Sequence, residues 1–148
     1  MTNVRAFNKI LNHQQHLKNQ AQMAYQTAVD EFQEVAEKLY LLLQKKEQVE
    51  KEYNYYLSSS GTVTTIATHY AFIERIKEKI ALVQVELQKK RTMMEHRQQN
   101  LTAAHVEVKK IEKIIEKKKL KLVELERYHD MQAMDEVGSR LYFKHGDR

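Results

Sequence analysis

The chain has 148 residues, 42% hydrophobic and 30% charged, with three glycines and neither proline nor cysteine. Without proline, nothing in the covalent chain removes a backbone donor from a growing helix. Without cysteine there is no disulfide and no thiolate metal site, which fits a reducing compartment. The segment from Met1 to His16 lacks the continuous apolar run of a signal peptide. No window approaches the roughly 20 apolar residues of a membrane span, so a soluble intracellular protein is expected.

The net charge of +5 is unevenly placed. Residues 1–24 hold Arg5, Lys9 and Lys18 and no acid, a balance of +3. Residues 109–121 hold seven lysines against Glu112 and Glu116, a balance of +5. Such blocks suit an acidic partner, a membrane surface or nucleic acid.

The first arm is built from good helix formers, and its apolar residues advance in alternating steps of three and four. Val4, Phe7, Leu11, Ala21, Tyr25, Ala28, Phe32, Val35, Leu39, Leu42, Val49, Tyr53 and Tyr56 follow this rule, with Gln14, Lys18 and Lys46 as polar exceptions. The run Ser58-Ser59-Ser60-Gly61-Thr62 then replaces helix formers with turn formers. Thr62 or a neighbouring serine is placed to cap a second helix.

The second arm is more regular. From Ile66, steps of seven give Ile73, Ile80, Leu87, Met94, Leu101, Val108, Ile115 and Leu122. The companion position supplies Ile76, Val83, Ala104, Ile111 and Leu125, with Lys90, Arg97 and Lys118 as gaps. A sustained seven-residue period makes two helices supercoil about a narrow apolar stripe.

The fold class predicted is therefore all-α: a long antiparallel two-helix coiled-coil hairpin, one domain over residues 1–148, with the C-terminal helix overhanging. Helices are expected over about residues 4–57 and 62–137, with a turn at about 58–61 and a tail over 138–148. At 1.5 Å per residue they would be roughly 80 and 110 Å long. Facing unlike seam positions lays Phe7 by Ile115, Leu11 by Ile111, Ala28 by Met94, Val35 by Leu87 and Leu42 by Ile80. The same register sets Lys90 near Phe32 and Arg97 near Tyr25, with the charges against the rings.

Chemistry-bearing constellations are scarce. His13 and His16 stand three apart, and His69, His96, His105, His129 and His145 are scattered, none with a carboxylate at a recognised ligand spacing. There is no glycine-rich phosphate loop, and two helices make no cleft that would exclude water from a nucleophile. No catalytic residues, no cofactor and no metal are expected. Lys109, Lys113, Lys117 and Lys121 form a row four residues apart. It reads either as a solvated face relieved by Glu112 and Glu116 or as a surface for an anionic partner. Aromatics for base stacking are not interleaved with it. Tyr40, Tyr55 and Phe72 miss the seam near the turn, either packing locally or anchoring a partner.

Four segments, E-F-Q-E-V-A-E-K-L-Y (31–40), H-Y-A-F-I-E-R-I (69–76), V-E-V-K-K-I-E-K (106–113) and M-Q-A-M-D-E-V (131–137), resemble the flagellar export protein FliJ family over nearly the whole chain. The chain departs from that family near the turn, where Ala71 and Phe72 follow Tyr70 more closely than the family's aromatic spacing. The resemblance implies an antiparallel coiled coil similar to the stalk of rotary ATPases, working as a chaperone-like adaptor in the flagellar type III export apparatus. The implied location is the cytoplasm, peripheral to the cell membrane. The implied partners are the export ATPase FliI, the cytoplasmic domain of the export gate FlhA and export chaperones. Carried onto this sequence, Arg5, Lys9, Lys117, Lys118 and Lys121 would face the ATPase ring, and Leu42, Val49, Phe72 and Ile76 the gate. The alternatives are a basic coiled coil that binds nucleic acid, or the equivalent stalk of a virulence secretion system.

Overall fold

The computed structural model describes residues 2–59 and 61–146; Met1, Ser60 of the expected turn, and Asp147 and Arg148 of the expected tail lie outside the described residues. Two helices make up the fold, α1 over Thr2–Ser58 and α2 over Val63–Gly146, 57 and 84 residues long. They pack against each other as a helical hairpin, and no strand occurs among the described residues. Helix α2 continues through residues 138–146, the stretch expected as a tail. Gly138 lowers helix propensity there without ending the helix, and no proline follows it to break the ladder.

The end of α1 and the start of α2 show why the chain turns where it does. The backbone N–H groups of Ser59 and Gly61 donate to the carbonyls of Tyr55 and Tyr56, at 3.1 and 3.3 Å. The Ser58 and Ser59 hydroxyls also donate to the Tyr55 carbonyl, at 3.2 and 2.7 Å. Carbonyls that a helix end leaves without an intrahelical donor are thereby satisfied. Gly61 sits so close to α1 that a Cβ on it would lie 2.7 Å from the Tyr56 carbonyl oxygen. Thr62 is the N-cap of α2: its Oγ1 accepts from the Thr65 N–H at 3.1 Å, and its carbonyl accepts from the Ile66 N–H at 3.0 Å.

The chain divides into two compact units. One comprises Asn19–Thr102, and the other joins the first 18 residues to those from Ala103 onward. In the Asn19–Thr102 unit, Val49 of α1 clusters with Ile73, Ile76 and Ile80 of α2, and Leu39, Leu42 and Tyr53 pack against them. Ala28, Val35 and Val83 continue the buried stripe. In the terminal unit, Val108 and Ile115 are buried, with Val4, Phe7, Leu11, Ile111 and Leu122 half-buried beside them. All nine members of the series from Ile66 to Leu122 are buried or half-buried. The seven-residue period therefore marks the buried stripe of α2 within each unit. Its polar gaps Lys90, Arg97 and Lys118 are half-buried too, as their long aliphatic stems permit.

Candidate interaction surfaces

The Asn19–Thr102 unit carries a set of contacts between the helices that flank the seam. The Lys90 ammonium donates to Glu31 Oε2 at 3.1 Å. The guanidinium of the next residue, Arg91, lies 5.8 Å from the Phe32 ring centre. The cation over Phe32 is thus Arg91, not the expected Lys90, whose shorter reach finds a carboxylate one residue away. Nearer the turn, His69 Nδ1 donates to the Thr65 carbonyl at 2.9 Å while Nε2 faces Glu52 at 3.5 Å. The His69 ring centre is 5.0 Å from that of Tyr56, and the Tyr53 and Tyr70 ring centres are 6.4 Å apart. This belt of aromatic and polar contacts fixes the two helices where the apolar seam ends.

Of the four residues carried over as gate contacts, Val49 and Ile76 are core, at 8% and 3% exposure, and Leu42 packs against the same cluster. Phe72 stands outward, with the Lys45 ammonium 5.3 Å from its ring centre. Tyr40, Tyr55 and Tyr70 are exposed elsewhere in this unit. Tyr40 accepts a hydrogen bond from Gln44 Nε2 at 2.8 Å, and Tyr55 packs edge-on against Tyr56. Phe72 is thus the most exposed of the four.

A second apolar surface of this unit was missed in the sequence. Val85, Thr92 and Met93 line a shallow groove on α2 with Gln88, Lys89 and His96. Leu82, one turn before it, is also exposed. The signal was present, as an apolar series offset from the seam, but the stronger heptad series masked it.

The terminal unit holds the basic candidates. Arg5, Lys9, Lys117 and Lys121 are exposed. Lys118 is half-buried, its ammonium 5.0 Å from the Phe7 ring centre, so it closes the seam over α1. Lys118, Lys121, Leu122 and Leu125 line a shallow groove with Asn3 and Val4. Leu125, expected on the seam, is 54% exposed, because α1 has no further turn to cover it. Within the lysine block, Lys109 pairs with Glu112 at 3.4 Å and Lys110 with Glu107 at 3.3 Å. Among the described residues Lys113, Lys117, Lys119 and Lys121 have no carboxylate within 4.0 Å. The lysine row is only partly relieved by its own helix. Lys113, Lys117 and Lys121 are left as uncompensated charge.

Among the described residues no group of three or more histidines, aspartates or glutamates is placed to hold a metal. His13 and His16 both face outward. No described helix is long and apolar enough to cross a membrane. What the molecule offers is surface: exposed aromatic side chains in the Asn19–Thr102 unit, a groove on α2, and in the terminal unit basic residues followed by exposed helix.

Comparison with known proteins agrees with this picture. The family described as flagellar FliJ protein matches residues 3–147. A flagellar FliJ protein of Bacillus subtilis (strain 168) is 33% identical over 141 residues, covering 95% of this chain and 95% of that protein. No solved structure matches. A two-helix hairpin matched from end to end by one family leaves a single assignment: the chain belongs to the flagellar FliJ protein family.

Proposed function

We propose that this chain is a non-enzymatic component of the flagellar type III export apparatus, a stalk-like adaptor and general chaperone that links the export ATPase FliI to the export gate FlhA. It works in the cytoplasm and reaches the cell membrane only through its partners. The observation that carries the reading is the terminal unit. There, lysines with no acidic partner among the described residues lie beside exposed helix, a surface whose charge suits an acidic partner.

In this reading Arg5, Lys9, Lys117 and Lys121 meet the ATPase ring, and Lys118 holds α1 against α2 so that the basic residues are presented together. Phe72 is the gate contact, with Leu42, Val49 and Ile76 fixing the helices beneath it. Nothing in the sequence supplies a catalytic step, and none is assigned. The test is a pull-down of the partner ATPase with the full chain, combined with hydrolysis rates in its presence and absence. Binding with a changed rate supports the adaptor role; no binding and an unchanged rate contradict it.

A further inference from the structure

The chain is 30% charged, yet residues 53–73, 21 in succession, include no Asp, Glu, Lys or Arg. Elsewhere no such run exceeds 11 residues, the length of residues 19–29. The uncharged run covers the end of α1, the turn and the start of α2, which together form the tip of the hairpin. Around the turn Tyr55, Leu57, Val63 and Tyr70 are 65, 52, 85 and 55% exposed. Steps of 100° per residue set Tyr55 and Leu57 about 160° apart around α1, so the apolar surface is not confined to one face.

The polar groups of this tip are largely paired within the chain. The Ser58 and Ser59 hydroxyls donate to the Tyr55 carbonyl, and the Thr68 hydroxyl donates to the Thr64 carbonyl at 2.8 Å. The Thr62 and Thr65 hydroxyls share a hydrogen bond of 2.8 Å, while Thr62 also accepts from the Thr65 N–H. A polar group that keeps a partner loses far less on leaving water than one that is stripped bare. Tyrosine, with an apolar ring and a polar end, suits a boundary between water and hydrocarbon.

We propose that the tip of the hairpin seats in the headgroup boundary of a lipid bilayer, with Leu57 and Val63 toward the acyl chains and the Tyr55 and Tyr70 hydroxyls at the headgroups. A protein groove takes up one face of a helix, whereas a bilayer surrounds what enters it, and this tip is free of charge all round. With no lysine or arginine in the run, the contact does not depend on anionic lipid. No described helix is long and apolar enough to cross a membrane, so the contact is shallow. Two aliphatic and two aromatic side chains at a boundary hold less firmly than one myristoyl chain, whose binding constant is about 10⁴ M⁻¹. Recruitment therefore stays with the partners, and the tip settles into lipid once they have brought it there. The inference rests on the residues of the tip and not on which partners those are.

The chain has no tryptophan, so V63W places a single fluorescent reporter at the tip of the full chain. Phosphatidylcholine vesicles are added to about 5 mM lipid in about 0.5 M salt, which screens the lysines of the terminal unit. The expected result is a shift of emission to shorter wavelength and quenching by bromine-labelled lipid. Y40W, at an exposed position about 25 Å along α1 from Leu57, should show neither. Adding L57D to V63W should abolish the shift; circular dichroism checks that both chains keep their helix. No shift at any lipid concentration overturns the proposal, as do equal shifts in V63W and Y40W or a shift that L57D leaves intact. V63W emission that responds to the gate's cytoplasmic domain but not to vesicles overturns it too, and assigns the tip to a protein pocket.

Discussion

The Lys118 ammonium lies 5.0 Å from the centre of the Phe7 ring, which joins the first turns of α1 to the most basic stretch of α2. A cation over an aromatic face at a partly exposed site contributes about 0.5–1 kcal/mol. Lys118→Ala should therefore lower the thermal midpoint by a few degrees. A double-mutant cycle with Phe7→Ala should show coupling of about 0.5–1 kcal/mol. Strictly additive losses would mean that the two side chains do not support one another.

Lys117 and Lys121 make a contrast with their neighbour, because both are exposed and, among the described residues, neither has a carboxylate within 4.0 Å. Charge reversal at both should leave the unfolding free energy within about 0.5 kcal/mol of the parent's, as surface changes usually do. Association with the export ATPase should nevertheless weaken, and its salt dependence should become shallower. Affinity and salt response equal to the parent's would return the row to a solvated face.

Near the turn, Phe72 and Ile76 lie one helical turn apart and serve different ends. Ile76 is 3% exposed within the aliphatic cluster, so Ile76→Ala should cost about 2–4 kcal/mol by urea unfolding. Phe72 is 36% exposed, and Phe72→Ala should cost less than about 1 kcal/mol while reducing capture of the gate's cytoplasmic domain. Equal losses of stability would place Phe72 in the core and remove it from the contact surface.

The turn has its own signature. Thr62→Ala removes the acceptor for the Thr65 N–H and should cost about 1 kcal/mol, whereas Thr62→Ser should be close to neutral. Gly61→Ala forces its new carbon against the Tyr56 carbonyl, where backbone must move, so it should lower the unfolding midpoint as well. An unchanged midpoint in Gly61→Ala would mean that the turn rearranges freely.

The seam was legible because burial in a two-helix pair follows a seven-residue period, and the series from Ile66 to Leu122 keeps it without a break. Where periodicity and family likeness disagreed, periodicity matched the observed burial. Val49 and Ile76 sit on the seam series and are buried, although likeness to relatives placed them toward a partner. The choice between Lys90 and Arg91 over Phe32 was beyond the pattern. Adjacent residues on a helix differ by about 100° in direction, and two long basic side chains can both swing toward one ring. Only the position of Glu31 decides which of them does. The exposed stretch after Val123 was expected as an overhang of the C-terminal helix, and only its extent past residue 137 was not read, because Gly138 lowers helix propensity without breaking the ladder as proline would.

Hydrogen–deuterium exchange of the full chain with and without the export ATPase tests the proposed role most directly, because it reports which backbone segments a partner covers. The account predicts that slowed exchange on binding is concentrated in the first 18 residues and in the stretch from Lys109 to Lys144, with the helices around Val49 and Ile76 unchanged. Slowed exchange around Phe72 alone, or none anywhere in a mixture shown to contain active ATPase, would contradict it.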